Sequence, residues 1–257
     1  MGDDETGHRT VKTAETTVRI LETVSELERA SLTELADSLN MHRSTLHAHL
    51  STLVEQEYLR KDDTQYTLGL RLFTHGARAQ RMSPFYGEAK QFLEQLAERT
   101  DEIAWLVVEE HGRGVCLRKA KGELAVQPYK QLGARISLHD TAAGKAVLSR
   151  LPRERTQAVI DRYGLPERTE NTITSPEALF REVESARAEG VAFNDEESIT
   201  GFRAVASPVS SPDGRVGALV VSGPKNRLRG EKFSETVPEI VSGAANALEL
   251  ELSSTVK

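Results

Sequence analysis

The stretch Ser31–Tyr58, SLTELADSLNMHRSTLHAHLSTLVEQEY, constrains the fold of this chain more than any other. Ser31-Leu-Thr-Glu34 is a capping-box pattern, in which the serine hydroxyl serves an orphan amide of the first turn and the glutamate reaches back to the cap. Leu32, Leu35 and Leu39 supply a buried stripe, and Leu39-Asn40-Met41 makes a turn. A further helix is predicted over residues 42–56. With Leu46 as reference and a turn of about 100° per residue, Leu50, Leu53 and Val54 share its face. Ser44, Ala48 and Thr52 fall opposite, about 160–240° round, with Thr45 just beyond them. A merely solvated face favours Glu and Lys, and this helix has neither until Glu55. Two short helices around a tight turn, the second with a small polar stripe, are the pattern of a helix-turn-helix that lays its second helix in the major groove of DNA. Small side chains permit close approach, and Ser, Thr, His and Arg bond bases or phosphates. The candidate contacts are Thr33, His42, Arg43, Ser44, Thr45, His47, Ala48 and Thr52, with His49 on the flank away from His47.

Upstream, residues 1–12 are polar, acidic and aperiodic, the composition of a disordered lead-in. Val18, Leu21, Val24 and Leu27 then recur at steps of three with Ile20 beside them, predicting a helix. Downstream, Tyr58–Leu68 has apolar ends around a polar turn and reads as a β-hairpin, the wing of a winged helix. Arg60 and Lys61 beside its tip suit phosphate contact, against the opposing charges of Asp62 and Asp63. The expected organisation is a lead-in over 1–12, a winged helix-turn-helix over 13–69, a linker helix over 70–82 and a second domain over 83–257.

From residue 83 onward strands and helices alternate. An amphipathic helix carries Phe92, Leu93, Leu96 and Ala97 as far as Thr100. Ile103–Val108 and Gly114–Arg118 are β-rich around a His111-Gly112 turn. Ile136–Leu151 leads a loop into a helix, and helices are expected over Arg153–Tyr163 and Pro176–Glu189, the latter capped by Gly190. Val191–Phe193, Ala204–Val209 and Val216–Ser222 read as strands, and Glu235–Leu252 as a closing helix. The predicted class is α+β, an antiparallel sheet covered by helices.

Other chemistry finds little footing. Cys116 is the only cysteine, which excludes an intrachain disulfide and a four-cysteine zinc site. No apolar run approaches the ~20 residues of a membrane span, and the polar N-terminus is no signal peptide, so a cytoplasmic protein is expected. His139-Asp140 with Asp195, Glu196 and Glu197 lacks metal-ligand spacing, and its plain reading is a helix start and a solvated acidic turn. Gly144-Lys145 is not a phosphate loop, and Ser137, Ser149 and Ser207 lack a nucleophile elbow. Neither a cofactor, a metal nor an enzymatic activity is therefore expected. The charge balance is unusual for a DNA binder: residues 1–80 hold nine Lys/Arg against thirteen Asp/Glu, a formal −4. Five of the seven histidines also fall there, so positive charge is local and pH-dependent. This balance keeps open a second reading, a ligand-sensing interaction module that does not itself bind DNA sequence-specifically. A third, a metabolic enzyme fused to a regulatory region, has no site to support it.

Four ordered motifs carry a resemblance. They are Arg43-Ser-Thr-Leu-His47 with Leu50 and Leu53; Leu138-His-Asp-Thr-Ala-Ala-Gly-Lys-Ala-Val-Leu148; Gly190-Val-Ala-Phe-Asn-Asp-Glu-Glu197 with Gly201 and Ala206-Ser-Pro-Val209; and Val220-Val-Ser-Gly-Pro224. Through them the chain resembles the IclR family of prokaryotic transcriptional regulators over residues 14–252. The resemblance implies an N-terminal winged helix-turn-helix and a C-terminal GAF-like effector-binding domain. It further implies homodimers or tetramers on palindromic double-stranded operators, answering to organic acids, sugar-derived acids or aromatic compounds. The family's effector pocket maps onto Ile136, Ala142, Ala143, Asn194, Phe202, Ala204 and Ser222. Two departures stand out. Ala48-His49 replaces the usual basic residue of the recognition helix, and Asn194 and Ala204 replace a common carboxylate and a polar side chain.

Overall fold

The computed structural model describes residues 10–126 and 131–255, which divide into two compact units at Gln80/Arg81. The expected lead-in lies outside the described residues up to position 9, and helix α1 (Lys12–Leu27) begins inside its last stretch.

In the first unit, α1 is followed by β1 (Ala30–Ser31), α2 (Leu32–Leu39), α3 (Arg43–Glu55), β2 (Leu59–Asp62), β3 (Gln65–Leu68) and α4 (Arg71–Arg81). The capping box forms: Ser31 Oγ accepts the Glu34 amide at 3.3 Å, and the Ser31 amide donates to Glu34 Oε2 at 2.8 Å. The Ser31 amide first, and then the Ser31 hydroxyl donating to Oε2 at 2.7 Å, hold the Glu34 carboxyl below its ordinary value. Asn40, with φ 50° and ψ 52°, takes the left-handed conformation that ends α2 and turns the chain into α3. Ile20, Val24, Leu35, Leu39, Leu46, Leu50, Leu53, Leu59 and Tyr66 form the core. The stripe expected on α1 needs a correction. Val18 and Leu27 are 53% and 43% exposed, and the buried pair is Ile20 and Val24. Each step of three falls about 60° short of a full turn, so Val18 and Leu27 end on opposite sides of the helix. The hairpin β2–β3 is present with Leu59 facing Leu68, and β1 adds a third, unforeseen strand against β3.

The second unit is a six-stranded antiparallel sheet in the order β6-β5-β4-β9-β8-β7. Its strands are β4 (Ile103–Glu110), β5 (Arg113–Lys121), β6 (Arg135–Ile136), β7 (Ala192–Asp195), β8 (Phe202–Ser210) and β9 (Val216–Pro224). Strand alternation sends Ala104, Leu106, Val205, Leu219 and Val221 to one face, under α5 (Pro84–Thr100) and α9 (Val237–Thr255). Ile103, Trp105, Val107, Ala206, Ala218 and Val220 go to the other, under α6 (Ala142–Arg150) and α8 (Pro176–Glu189). Burial on both faces explains why β9 reads as an unbroken apolar run. The helix α7 (Arg153–Tyr163) completes the unit, and a π-helical segment, Lys232–Thr236, leads into α9. Gly144 lets α6 come close to the preceding loop: a Cβ there would sit 2.3 Å from Leu138 Cα and O.

Candidate nucleic-acid interface and small-molecule cavity

On α3, Leu46, Leu50 and Leu53 are buried, whereas Arg43, Ser44, Thr45, His47, Ala48 and Thr52 are all exposed, as are His42 and Thr33. The buried face anchors the helix and the stripe opposite it faces outward. Individual partners refine this picture. Thr52 Oγ1 donates to the Ala48 carbonyl at 3.0 Å, so its hydroxyl is turned back on the helix. His49 is half-buried, its Nδ1 3.3 Å from Thr17 Oγ1 on α1. His47 Nδ1 lies 3.4 Å from Ser51 Oγ, which adds Ser51 to the exposed stripe; nothing but helical phase marks it in the sequence. On the wing, Arg60 donates to Asp62 Oδ2 at 2.8 Å, so the charge of Arg60 is already matched. The Lys61 ammonium sits 5.6 Å from the centroid of the Tyr66 ring.

In the second unit the seven residues singled out there, Ile136, Ala142, Ala143, Asn194, Phe202, Ala204 and Ser222, line one cavity. Trp105, Cys116, Thr141, Ser198, Ile199 and Arg203 also line it. The sheet supplies its floor and α6 one wall. Thr141 caps α6, its hydroxyl accepting the Gly144 amide at 3.1 Å and donating to Ser137 O at 2.9 Å. Asn194 is buried, and its amide group donates to the Asp140 carbonyl at 2.5 Å and to Ser198 Oγ at 3.3 Å. A carboxylate at 194 would set oxygen against oxygen at Asp140, which gives a physical reason for the asparagine. Arg203 brings little free charge to the wall: Nε and Nη2 pair with both Asp195 oxygens at 2.6 and 2.8 Å, and Nη1 donates to Leu228 O at 3.1 Å. The cavity is therefore apolar with a few hydroxyls and one amide, the make-up of a small-molecule site.

Behind the cavity the acidic turn is not uniformly solvated, which corrects the expectation for Glu197. Its side chain is buried, and Lys145 Nζ, 1% exposed, donates to its two oxygens at 2.7 and 2.9 Å. Glu182 of α8 lies 3.3 Å from the same ammonium. Burial pushes the Glu197 carboxyl above its ordinary value, and the Lys145 charge opposes that rise. The Glu197 carbonyl further accepts Thr172 Oγ1 at 2.7 Å. Residues 195–201, which carry the cavity-lining Ser198 and Ile199, are thus tied to α6. Sequence reading missed Lys145 because a lysine inside an Ala-rich helix carries no sign of a partner distant in the chain. His139 is also buried, before the helix rather than in it, with Nε2 3.1 Å from Pro166 O. Among the described residues no three His, Cys, Asp or Glu side chains converge as a metal site. No helix among them is long and apolar enough to cross a membrane.

Comparison with known proteins places this geometry. Residues 13–63 match the IclR helix-turn-helix domain, and residues 81–250 match the bacterial transcriptional regulator IclR C-terminal domain. The chain belongs to the IclR family: it is a DNA-binding transcriptional regulator of metabolic genes, not an enzyme, controlled by a small molecule bound in its C-terminal domain. A relative from Halobacterium salinarum, named as a probable HTH-type transcriptional regulator ArcR, is 32% identical over 91% of each chain. The Thermotoga maritima IclR crystal structure superimposes with a TM-score of 0.75 at 27% identity, covering 94% of this chain and 98% of that one. An IclR homologue from Microbacterium hydrocarbonoxydans, solved with 4-hydroxybenzoate, shares the fold at TM-score 0.78 and 22% identity, over 93% and 99% of the two chains.

Proposed function

We propose that homodimers or tetramers of this chain present paired α3 helices to the half-sites of a palindromic operator in the cytoplasm, and release or remodel that DNA when a small organic acid or sugar-derived acid fills the second unit's cavity. The observation that carries the reading is the outward stripe Ser44, Thr45, Ala48 and Thr52 on a helix whose opposite face is fully anchored. Thr33, His42, Arg43 and His47 border the bases and phosphates, Arg60 and Lys61 follow the backbone, and the Ala48 methyl faces a thymine methyl. The Ser222 hydroxyl and the amides of Ala142 and Ala143 at the start of α6 hydrogen-bond the effector's oxygens, while Asn194, whose two N–H groups serve Asp140 O and Ser198 Oγ, offers Oδ1 to an effector hydroxyl. The apolar remainder, Ile136, Phe202 and Ala204, covers its carbon frame; a fold neighbour solved with 4-hydroxybenzoate supports a ligand of this size and polarity. Residues 70–82 carry the signal between the two functions by biasing the placement of the recognition helices.

The test begins with genome-wide mapping of the bound sites, whose neighbouring genes nominate the effectors. Trp105, the only tryptophan, lines the cavity, so its emission reports each candidate acid directly. The expected result is one acid that both quenches Trp105 and shifts operator affinity. An acid that saturates the cavity while leaving operator affinity and DNA geometry unchanged overturns the coupling.

A further inference from the structure

A second, smaller recess lies on the far side of the loop that leads into α6. Arg113, Ser137, His139, Tyr163 and Arg168 line it together with aliphatic side chains, and among the described residues no carboxylate does. Arg113 stands with its guanidinium carbon 4.3 Å from the Tyr163 ring centroid and donates to Ser137 Oγ at 3.2 Å, neither of which neutralises its charge. Arg168 is more than half exposed and meets its nearest acid, Asp140, only at 3.8 Å. The buried His139 ring is held by the Pro166 carbonyl, which only an N–H can satisfy, so Nε2 is a donor. Two guanidiniums against aliphatic walls, with the His139 ring fixed between them and Pro166, make a positive recess, and the planar guanidinium fork suits oxyanions.

We infer that this recess binds a small oxyanion, the carboxylate or phosphate group of a metabolite, as a second regulatory site back to back with the effector cavity. The two cavities share one stretch of chain. Ile136, Thr141 and Ala142 line the effector cavity, while Ser137 and His139 line the second. Asp140 sits between them: its carbonyl accepts the Asn194 amide, and its carboxylate faces Arg168. An anion that draws Arg168 inward takes it from Asp140, whose backbone positions Asn194. Occupancy of one site therefore alters the other. This coupling rests on the effector reading above; the anion site does not.

Isothermal titration of sodium phosphate and of sodium acetate into the full chain, at an ionic strength held constant with sodium chloride, tests the site. The expected result is saturable one-site binding of at least one ion; which ion binds distinguishes a phosphorylated from a carboxylic ligand. Arg113→Gln/Arg168→Gln weakens it at least ~10-fold. Arg168→Gln alone, altering an exposed side chain that the fold does not need, also weakens it. Arg229→Gln, which removes an equal charge from the surface elsewhere, does not. No saturable binding by the wild type, or binding that survives the double substitution in folded protein, overturns the proposal. Binding that leaves Trp105 emission unchanged overturns the coupling alone.

Discussion

Lys145 shows what a single buried charge does in this fold. With 1% of it exposed, its ammonium has no water to turn to, and the two Glu197 oxygens replace that solvation. Removing one partner strands the other, so Lys145→Met is expected to destabilise the second unit by about 3–5 kcal/mol. Lys145→Met/Glu197→Leu, which removes both charges, should recover most of that loss. Urea unfolding followed by circular dichroism measures both, and a single variant within about 1 kcal/mol of wild type would refute the role. Asn194→Asp should similarly reshape the effector cavity, because its new oxygen meets the Asp140 carbonyl in place of a donor; Trp105 emission reads the change. Neither pairing was legible in the sequence. Lys145 and Glu197 lie 52 positions apart, and no periodicity or motif joins them. Ile136, Ala142, Ala143, Asn194, Phe202, Ala204 and Ser222 are legible through family resemblance, whereas Ser198 and Ile199 follow only from the path of the loop, and Arg203, Trp105 and Cys116 only from the pairing of the strands.

Among the elements, α2 depends most visibly on the residue that caps it. Ser31→Ala removes the cap and should cost about 1 kcal/mol of the first unit's stability, measured by thermal unfolding. The Glu34 half of the capping box has a defined pH dependence. Its folded pKa lies below 4.5, so its contribution is complete above that value and is lost as pH falls through the lower folded pKa. A carboxyl NMR titration with a Glu34 midpoint at or above 4.5 would contradict the observed bonds. This helix was readable in advance because both residues of its cap and its three leucines obey one local rule. The phase of α1 was less so: three-residue spacing alone does not say which turn lies against the core, and α2 and β3 decide it. Strand β1 has two residues, too few to show alternation, and only pairing with β3 reveals it.

On the scale of the whole molecule, the first unit is acidic over its described residues 10–80, with eight Lys/Arg against ten Asp/Glu, and Asp62 matches Arg60 and leaves Lys61, among the described residues, as the wing's unmatched cation. DNA binding should therefore lean on hydrogen bonds and fit along α3 more than on a field of fixed charge. Lys61→Gln is expected to weaken specific and unrelated DNA alike and to make the log–log salt dependence shallower by about 1, the share of a single phosphate. Substitution on the stripe should strike specificity instead. The most direct measurement is the affinity of effector-free Ala48→Glu protein for an operator fragment recovered by genome-wide mapping, against a scrambled fragment. Ala48 is exposed, so the variant keeps its fold while a carboxylate is forced against the bases. The account predicts that preference for the operator falls by roughly 100-fold or more, leaving only weak, salt-sensitive binding. Ala48→Glu protein that still binds the operator as the wild type does would show that the groove is read by another face.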